Sequence, residues 1–187
     1  MRHGVEVIYH ASFADEEALD MMEAQKDKIF VAPGLSVIIR LLNEGEVVGI
    51  TNAIAKDMCY ELELEAAVKS MKAMLRRGIR VLPGGDYGFA WAPHGENAKD
   101  LEYFVKYLGM TPMETLISAT RWGGQIMMHK DLGELREGWL ADLLLVDGDP
   151  LANISILQDK SKLLAIMKDG EFAKMPEIRS ARSRFVA

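Results

Sequence analysis

The stretch Arg80-Val81-Leu82-Pro83-Gly84-Gly85-Asp86 is a short apolar run that ends in two glycines and a carboxylate. Two earlier segments have the same form: residues 4–10 are rich in β-branched side chains and end in His10, and residues 28–34 are apolar and end in a Pro-Gly pair. Short apolar runs bounded by such breakers are typical of buried parallel strands. Helical patterns lie between and after them, which predicts an α/β protein.

Four helices are predicted from apolar spacing and end signals. Residues 15–25 begin with an acidic first turn, and residues 61–77 and 97–108 are each followed by glycine. Thr111-Pro112-Met113-Glu114 predicts a fourth helix start, because it combines a capping box with proline at the first helical position. Residues 35–60 give no clear pattern beyond a predicted turn at Asn43-Glu44-Gly45.

The pattern changes after about residue 133. Residues 141–146 form an apolar run, and residues 163–167 lead into Asp169-Gly170, which predicts a β-hairpin. We therefore expect an α/β domain over residues 1–132, β-strands over residues 133–175 and a loose tail over residues 176–187.

Composition excludes several classes of protein. The 187 residues are 49% hydrophobic and 27% charged, unlike a disordered chain, and the net charge of −6 argues against nucleic-acid binding. No apolar window approaches the roughly 20 residues of a membrane span, so we expect a soluble protein without membrane contact, in the cytoplasm by default. Cys59 is the single cysteine, which excludes an internal disulfide. The chain enters its first strand almost at once and without a signal peptide, so we expect it to be truncated.

Two polar residues end predicted strands. His10 ends the first and Asp86 the third, and in a parallel α/β barrel the carboxyl ends of the strands meet at one mouth. Imidazole and carboxylate are both zinc ligands, and Asp86 could also take a proton from a metal-activated water. On spacing alone, a residue such as His10 is more often a surface or hydrogen-bonded residue than a ligand, and one such as Asp86 is usually a turn former or an N-cap. Pro93-His94-Gly95-Glu96 could equally be an ordinary loop.

The order of the motifs is more specific than any one of them. It resembles the metal-dependent amidohydrolase superfamily, most closely the imidazolonepropionase-like and Xaa-Pro dipeptidase (prolidase) branch. The matching segments are residues 4–11, Gly84-Gly85-Asp86, Pro93-His94-Gly95, residues 109–114, Ala119-Thr120, residues 132–138 and residues 141–151.

The resemblance implies the C-terminal part of a (β/α)₈ TIM barrel, strands six to eight with their helices, followed by the C-terminal strands of a small β-sandwich. It implies that His10 and Asp86 bind metal, that Asp86 is also the catalytic base and that His94 contacts substrate. The implied cofactor is a divalent metal, zinc, in a binuclear site. The implied substrates are small amides, cyclic amides or dipeptides.

The chain also departs from this family. The paired histidines of strand one, the lysine of strand four and the histidine of strand five have no counterpart here. One hypothesis is therefore a truncated piece of a hydrolase of carbon–nitrogen bonds. The alternative is an inactive half-barrel that self-associates into a homo-oligomer, because unpaired strand edges favour pairing with other chains.

Overall fold

A computed structural model describes residues 2–175 of the chain. Three short strands, β1 (Val7–Tyr9), β2 (Phe30–Ala32) and β3 (Arg80–Val81), form a parallel sheet in the order β1-β2-β3. This confirms the predicted parallel strands, although each is shorter than the run that predicted it. Pairing continues beyond β3, where the Leu82 N–H donates to the Val31 carbonyl at 2.8 Å.

Seven α-helices surround and follow this sheet within the described residues. Two of them, α5 and α6, continue without a break into wider π-helical turns over Phe104–Leu108 and Ser118–Trp122. The helices are α1 (Glu16–Glu23), α2 (Leu35–Glu44), α3 (Asn52–Asp57), α4 (Tyr60–Arg76), α5 (Lys99–Tyr103), α6 (Pro112–Ile117) and α7 (Gly123–Ile126). Short 3₁₀ turns lie at Gly45–Val48 and Ile154–Gln158.

The predicted helix ends are confirmed. The Thr111 hydroxyl accepts from the Glu114 N–H at 3.2 Å, and the Glu114 carboxylate accepts from the Thr111 N–H at 2.8 Å, which together form the capping box. Helix α4 ends at Arg76, and Gly78 follows in the left-handed conformation with φ +74°. Both ends satisfy backbone groups that a helix terminus leaves without partners.

The predicted turn at Asn43-Glu44-Gly45 is wrong in its first two residues. Asn43 and Glu44 are the last residues of α2, and Gly45 opens the 3₁₀ turn that follows. A hydrogen bond from the Asn43 side-chain amide to the Ile39 carbonyl, at 2.7 Å, stabilises this last turn of α2.

The core lies between the sheet and the helices. Its central members are fully or almost fully buried side chains from β2 and β3, the residues just before these strands, α1, α2, α4 and the turn after α5. They are Leu19, Met22, Ile29, Val31, Leu35, Ile39, Ala67, Met71, Met74, Ile79, Val81 and Phe104. Because helices cover this sheet, β2 is buried along its whole length, as parallel strands usually are.

A second sheet is antiparallel, with strands β4 (Leu143–Val146), β5 (Leu163–Lys168) and β6 (Glu171–Lys174) in that order. Asp169 and Gly170 join β5 to β6 with φ of +52° and +80°, the values of the tight hairpin turn that the sequence predicts. The predicted tail lies outside the described residues. Within residues 2–175, no helix combines the length and apolar character that a membrane span requires.

Candidate active site at the carboxyl end of the parallel sheet

His10 follows β1 directly and is exposed. Its N–H donates to the Ala32 carbonyl at 2.8 Å, so the chain stays paired with β2 to this point and then turns away through left-handed conformations at His10 (φ +64°) and Ala11 (φ +57°). The imidazole lies against Gly34: its Nδ1 is 2.6 Å from the position that a Cβ on Gly34 would take. Glycine is therefore required at position 34 by space as well as by its φ of +66°.

The turn after His10 is fixed by α4. The Ser70 hydroxyl donates to the Ser12 carbonyl at 2.9 Å, and the Ser12 hydroxyl donates to the Glu63 carboxylate at 3.2 Å. Ser12 and Ser70 are both buried. Two hydrogen bonds between Ser12 and α4 thus hold the segment that follows His10.

Asp86 lies at the same end of the sheet, beyond β3. The Gly34 N–H donates to the Gly84 carbonyl at 2.9 Å, and the Val37 N–H donates to the Gly85 carbonyl at 3.1 Å. Asp86 itself is exposed, and its backbone has the left-handed conformation, with φ +55°. His10, Gly34 and Gly84 therefore form a continuous row across the carboxyl end of the sheet, and Asp86 follows two residues after Gly84.

His94 is exposed in the loop between β3 and α5. Its Nε2 lies 3.3 Å from the position that a Cβ on Gly88 would take, so the imidazole folds back over the start of its own loop. The Trp91 indole N–H donates to the Val37 carbonyl at 3.2 Å, which fastens the middle of this loop to α2.

Arg40 fastens the end of the same loop. Its side chain is only 5% exposed and pairs with Glu96 at 2.5 Å and with Glu44 at 2.8 Å. Burial lowers the pKa of Arg40, but the hydrogen bonds to Glu44 and Glu96 outweigh burial and raise it. Arg40 therefore stays charged and ties α2 to Glu96, two residues after His94. Nothing in the local sequence pattern indicated this role.

A buried carboxyl group lies beneath the glycine pair. Asp100 of α5 is 2% exposed, and its Oδ1 is 2.7 Å from the position that a Cβ on Gly85 would take. Burial raises the pKa of Asp100 to about 7, although the nearby Tyr87 hydroxyl and Gly84 N–H favour its charged form. These groups are imperfect partners: the Tyr87 hydroxyl donates to the Asn97 carbonyl at 3.4 Å, and Oδ1 of Asp100 has no hydrogen-bond partner within residues 2–175.

The described residues alone do not form a complete metal site. No group of three or more histidine, cysteine, aspartate and glutamate side chains within residues 2–175 is arranged to hold a metal ion. Catalytic zinc usually has three protein ligands, so His10 and Asp86 fit part of such a ligand set and not the whole.

The sequence pattern that defines the amidohydrolase family matches residues 2–173. The chain belongs to the amidohydrolase family. Among curated proteins, this amidohydrolase-family chain is similar to ochratoxinase of Aspergillus niger, with 28% identity over 185 residues. The match covers 95% of the chain and 36% of ochratoxinase, so the chain spans little more than a third of that relative.

Solved structures show the same relationship. The crystal structure of the A. niger ochratoxinase superposes with a TM-score of 0.79 at 26% identity, covering 99% of this chain and 41% of that one. A Xaa-Pro dipeptidase with bound methionine gives a TM-score of 0.76 at 26% identity (92% and 41% coverage). A putative prolidase from Bifidobacterium longum gives 0.79 at 25% identity (93% and 44% coverage). The predicted resemblance to the prolidase branch is confirmed.

Proposed function

We propose that this chain is part of a metal-dependent hydrolase that cleaves carbon–nitrogen bonds in small amides, cyclic amides or dipeptides. The observation that carries the proposal is the row of contacts from His10 through Gly34 to Gly84, with Asp86 at the same end of one parallel sheet. The amidohydrolase family and the similarity to ochratoxinase and to prolidases support a hydrolase of amide bonds.

We place the chain in the C-terminal part of a (β/α)₈ barrel, with β1, β2 and β3 as strands six to eight. Residues 1–132 are assigned to the barrel and residues 133–175 to strands of a small β-sandwich. Three parallel strands alternating with helices, followed by an antiparallel sheet, support this assignment. It also agrees with coverage of only 36–44% of the relatives.

His10 and Asp86 would each donate one ligand to a divalent cation, for which zinc suits an imidazole and a carboxylate best. The remaining ligands must come from residues outside 2–175. When bound, such a metal lowers the pKa of a coordinated water to near neutrality, which supplies a nucleophile.

Asp86 is assigned the proton transfers. Its carboxylate takes a proton from the attacking water while oxygen bonds to the amide carbon, and it then gives that proton to the nitrogen as the carbon–nitrogen bond breaks. The exposed side chain suits this role, since both the water and the leaving nitrogen must reach it. His94 is assigned to substrate, because its loop flanks the same end of the sheet and is held there by Trp91 and Arg40.

Zinc titration followed by NMR tests the metal site. The His10 imidazole and Asp86 carboxyl signals should shift at the same zinc concentration in the wild-type chain, and Asp86→Asn should weaken the His10 response. His3→Ala is the matched control, because His3 precedes β1 at the opposite end of that strand. A His10 shift that is independent of Asp86 would contradict a shared site.

Hydrolysis of N-acyl amino acids and X-Pro dipeptides, measured with and without zinc, tests the reaction. We expect weak turnover from this chain because its ligand set is incomplete, and we expect Asp86→Asn to abolish it without unfolding the protein. Zinc-dependent turnover that survives Asp86→Asn would contradict the assigned base.

The second candidate function is a self-associating module without catalysis. Both sheets expose surface that globular proteins normally cover. In the parallel sheet, β1 is an edge strand. In the antiparallel sheet, four apolar side chains are at least 39% exposed, namely Leu144, Leu145, Leu164 and Phe172. Sedimentation equilibrium distinguishes the two candidates. A stable homo-oligomer that Leu144→Lys disrupts, with no zinc binding, would favour this module over the hydrolase.

A further inference from the structure

Three parts of the chain meet at Gly85. A Cβ added there would lie 2.5 Å from Cε2 of Tyr87, 2.6 Å from Cβ of Ser36 and 2.7 Å from Oδ1 of Asp100. These distances are shorter than real contacts of a Cβ atom, so only glycine lets the turn after β3 pack onto α2 and α5 so closely.

The backbone around Gly85 is held from two sides. On one side, the Gly84 and Gly85 carbonyls accept from the Gly34 and Val37 N–H groups of the segment after β2. On the other side, the Asp100 carboxylate of α5 packs against Gly85, with its Oδ1 2.7 Å from the position that a Cβ there would take. Asp100 is therefore the polar group that holds this turn from the helix side.

The burial of Asp100 lowers the stability of the folded protein. Its Oδ1 and the Oγ of Ser36, which is fully buried, have no hydrogen-bond partner among the described residues. A buried polar atom without a partner destabilises a fold, so its presence beside a turn calls for a local role. Asp86, which follows Gly85, has φ +55°, a left-handed conformation that is uncommon for residues other than glycine.

We propose that Asp100 is a positioning residue for Asp86: its carboxylate holds the Gly84-Gly85 turn against α5 and so sets where Asp86 stands at the end of the sheet. The catalytic meaning of this role rests on the proposed function of Asp86. The contacts themselves do not, so the two can be tested separately.

Amide hydrogen exchange of the full chain tests the contact. Asp100→Ala removes the acceptor, and exchange at Gly84, Gly85 and Asp86 should rise about tenfold while β2 and α4 stay protected. Asp100→Asn keeps the side-chain volume and a weaker, neutral acceptor, so its exchange should fall between the wild type and Asp100→Ala. Glu102→Gln is the matched control, because Glu102 lies on the same helix and accepts instead from the Gln158 amide at 2.7 Å.

Steady-state kinetics test the consequence. Asp100→Ala should lower kcat about tenfold and leave KM within about twofold, because Asp86 acts on the proton and not on substrate binding. Restoration of most of kcat in Asp100→Asn but not in Asp100→Leu, which fills a similar volume without a side-chain oxygen, would show that the acceptor matters and not packing alone.

Equal exchange in the wild type and Asp100→Ala, an increase spread evenly over β2 and α4, or an equal increase in Glu102→Gln would each overturn the proposal. A raised KM at unchanged kcat would overturn it as well. If the wild-type chain neither binds zinc through His10 and Asp86 nor hydrolyses any substrate, the proposed function fails, and the order of exchange rates alone decides whether Asp100 holds the turn.

Discussion

The imidazole of His10 fills the space that a side chain on Gly34 would occupy. This contact joins the end of β1 to the turn after β2, and the hydrogen bond from Gly34 to Gly84 carries the connection to the turn after β3. The positions of His10 and Asp86 are thus coupled through the backbone of one glycine.

Gly34→Ala should displace the imidazole. The left-handed conformation of residue 34 costs an alanine about 1–2 kcal/mol, and the overlap with His10 adds about 1–3 kcal/mol. Gly109→Ala is the control, because Gly109 has φ +74° but nothing within 4 Å of the added Cβ. Urea unfolding should show a larger loss of unfolding free energy for Gly34→Ala, and the His10 NMR signals should move in that variant only. Equal losses in the two variants would contradict the contact.

Arg40→Ala should destabilise the protein and loosen the loop that carries His94. Removing this nearly buried cation leaves Glu44 and Glu96 with only their longer contacts to Lys99, at 3.5 and 3.9 Å, which should cost about 2–3 kcal/mol, less than a fully buried pair because both carboxylates still reach water. Lys162→Ala, which breaks the exposed pair with Asp147, should lower the free energy of unfolding far less. Urea unfolding measures both costs, and amide exchange at residues 94–97 should increase only in Arg40→Ala.

Asp100 should make stability fall as pH rises. The pKa of this carboxyl is raised by burial from its ordinary 3.8 to about 7, so between these values the folded protein holds a proton that the unfolded chain has released. The unfolding free energy therefore decreases through this window and levels off above it. In Asp100→Asn this contribution is absent, so the wild type should lose stability relative to the variant between these pH values.

Asp159 provides the control for that measurement, with the opposite sign. Hydrogen bonds from the Ser161 hydroxyl and N–H lower the pKa of Asp159, so its contribution is present above the ordinary pKa and is lost as pH falls. Asp159→Asn should therefore lose stability relative to the wild type at neutral pH and not at low pH. If both variants follow the same pH trend, the direction assigned to Asp100 is wrong.

Thr111→Ala should weaken the start of α6. The substitution removes the hydroxyl that caps the Glu114 N–H, a loss of about 1 kcal/mol in unfolding free energy. Thr120→Ala is matched in chemistry, but the Thr120 hydroxyl donates back to the Leu116 carbonyl within a helical segment, and its removal should be close to neutral. Thermal unfolding of the two variants checks the difference.

Helix ends were predictable because their signals are local. Thr111 and Glu114 satisfy each other within one turn, and Gly78 ends α4 by its own conformation, so neighbouring residues suffice. Helix α2 was missed for the opposite reason. Its polar residues Ser36, Arg40, Asn43 and Glu44 do recur at helical spacing, but Ser36 and Arg40 are buried with the apolar residues and the helix begins after Gly34 without a side-chain cap, so no start signal marks it.

The candidate site was predictable only in part. His10 and Asp86 were recognised because they end strand-like runs, and the structure has both at one end of the sheet, while their roles as ligand and base stay predictions. Asp100 was missed because a charged residue in a helix is normally exposed. The pair Gly84-Gly85 indicates that another group packs closely against the backbone after β3. Only the packing of α5 in the structure shows that this group is the Asp100 carboxyl.

The crowding around Gly85 has a consequence for how this protein can evolve. Ser36 of α2, Tyr87 of the loop after β3 and Asp100 of α5 all border the point where a side chain at position 85 would begin. A residue other than glycine at position 85 would therefore require all three neighbours to move, so substitution there demands compensating changes in three parts of the chain.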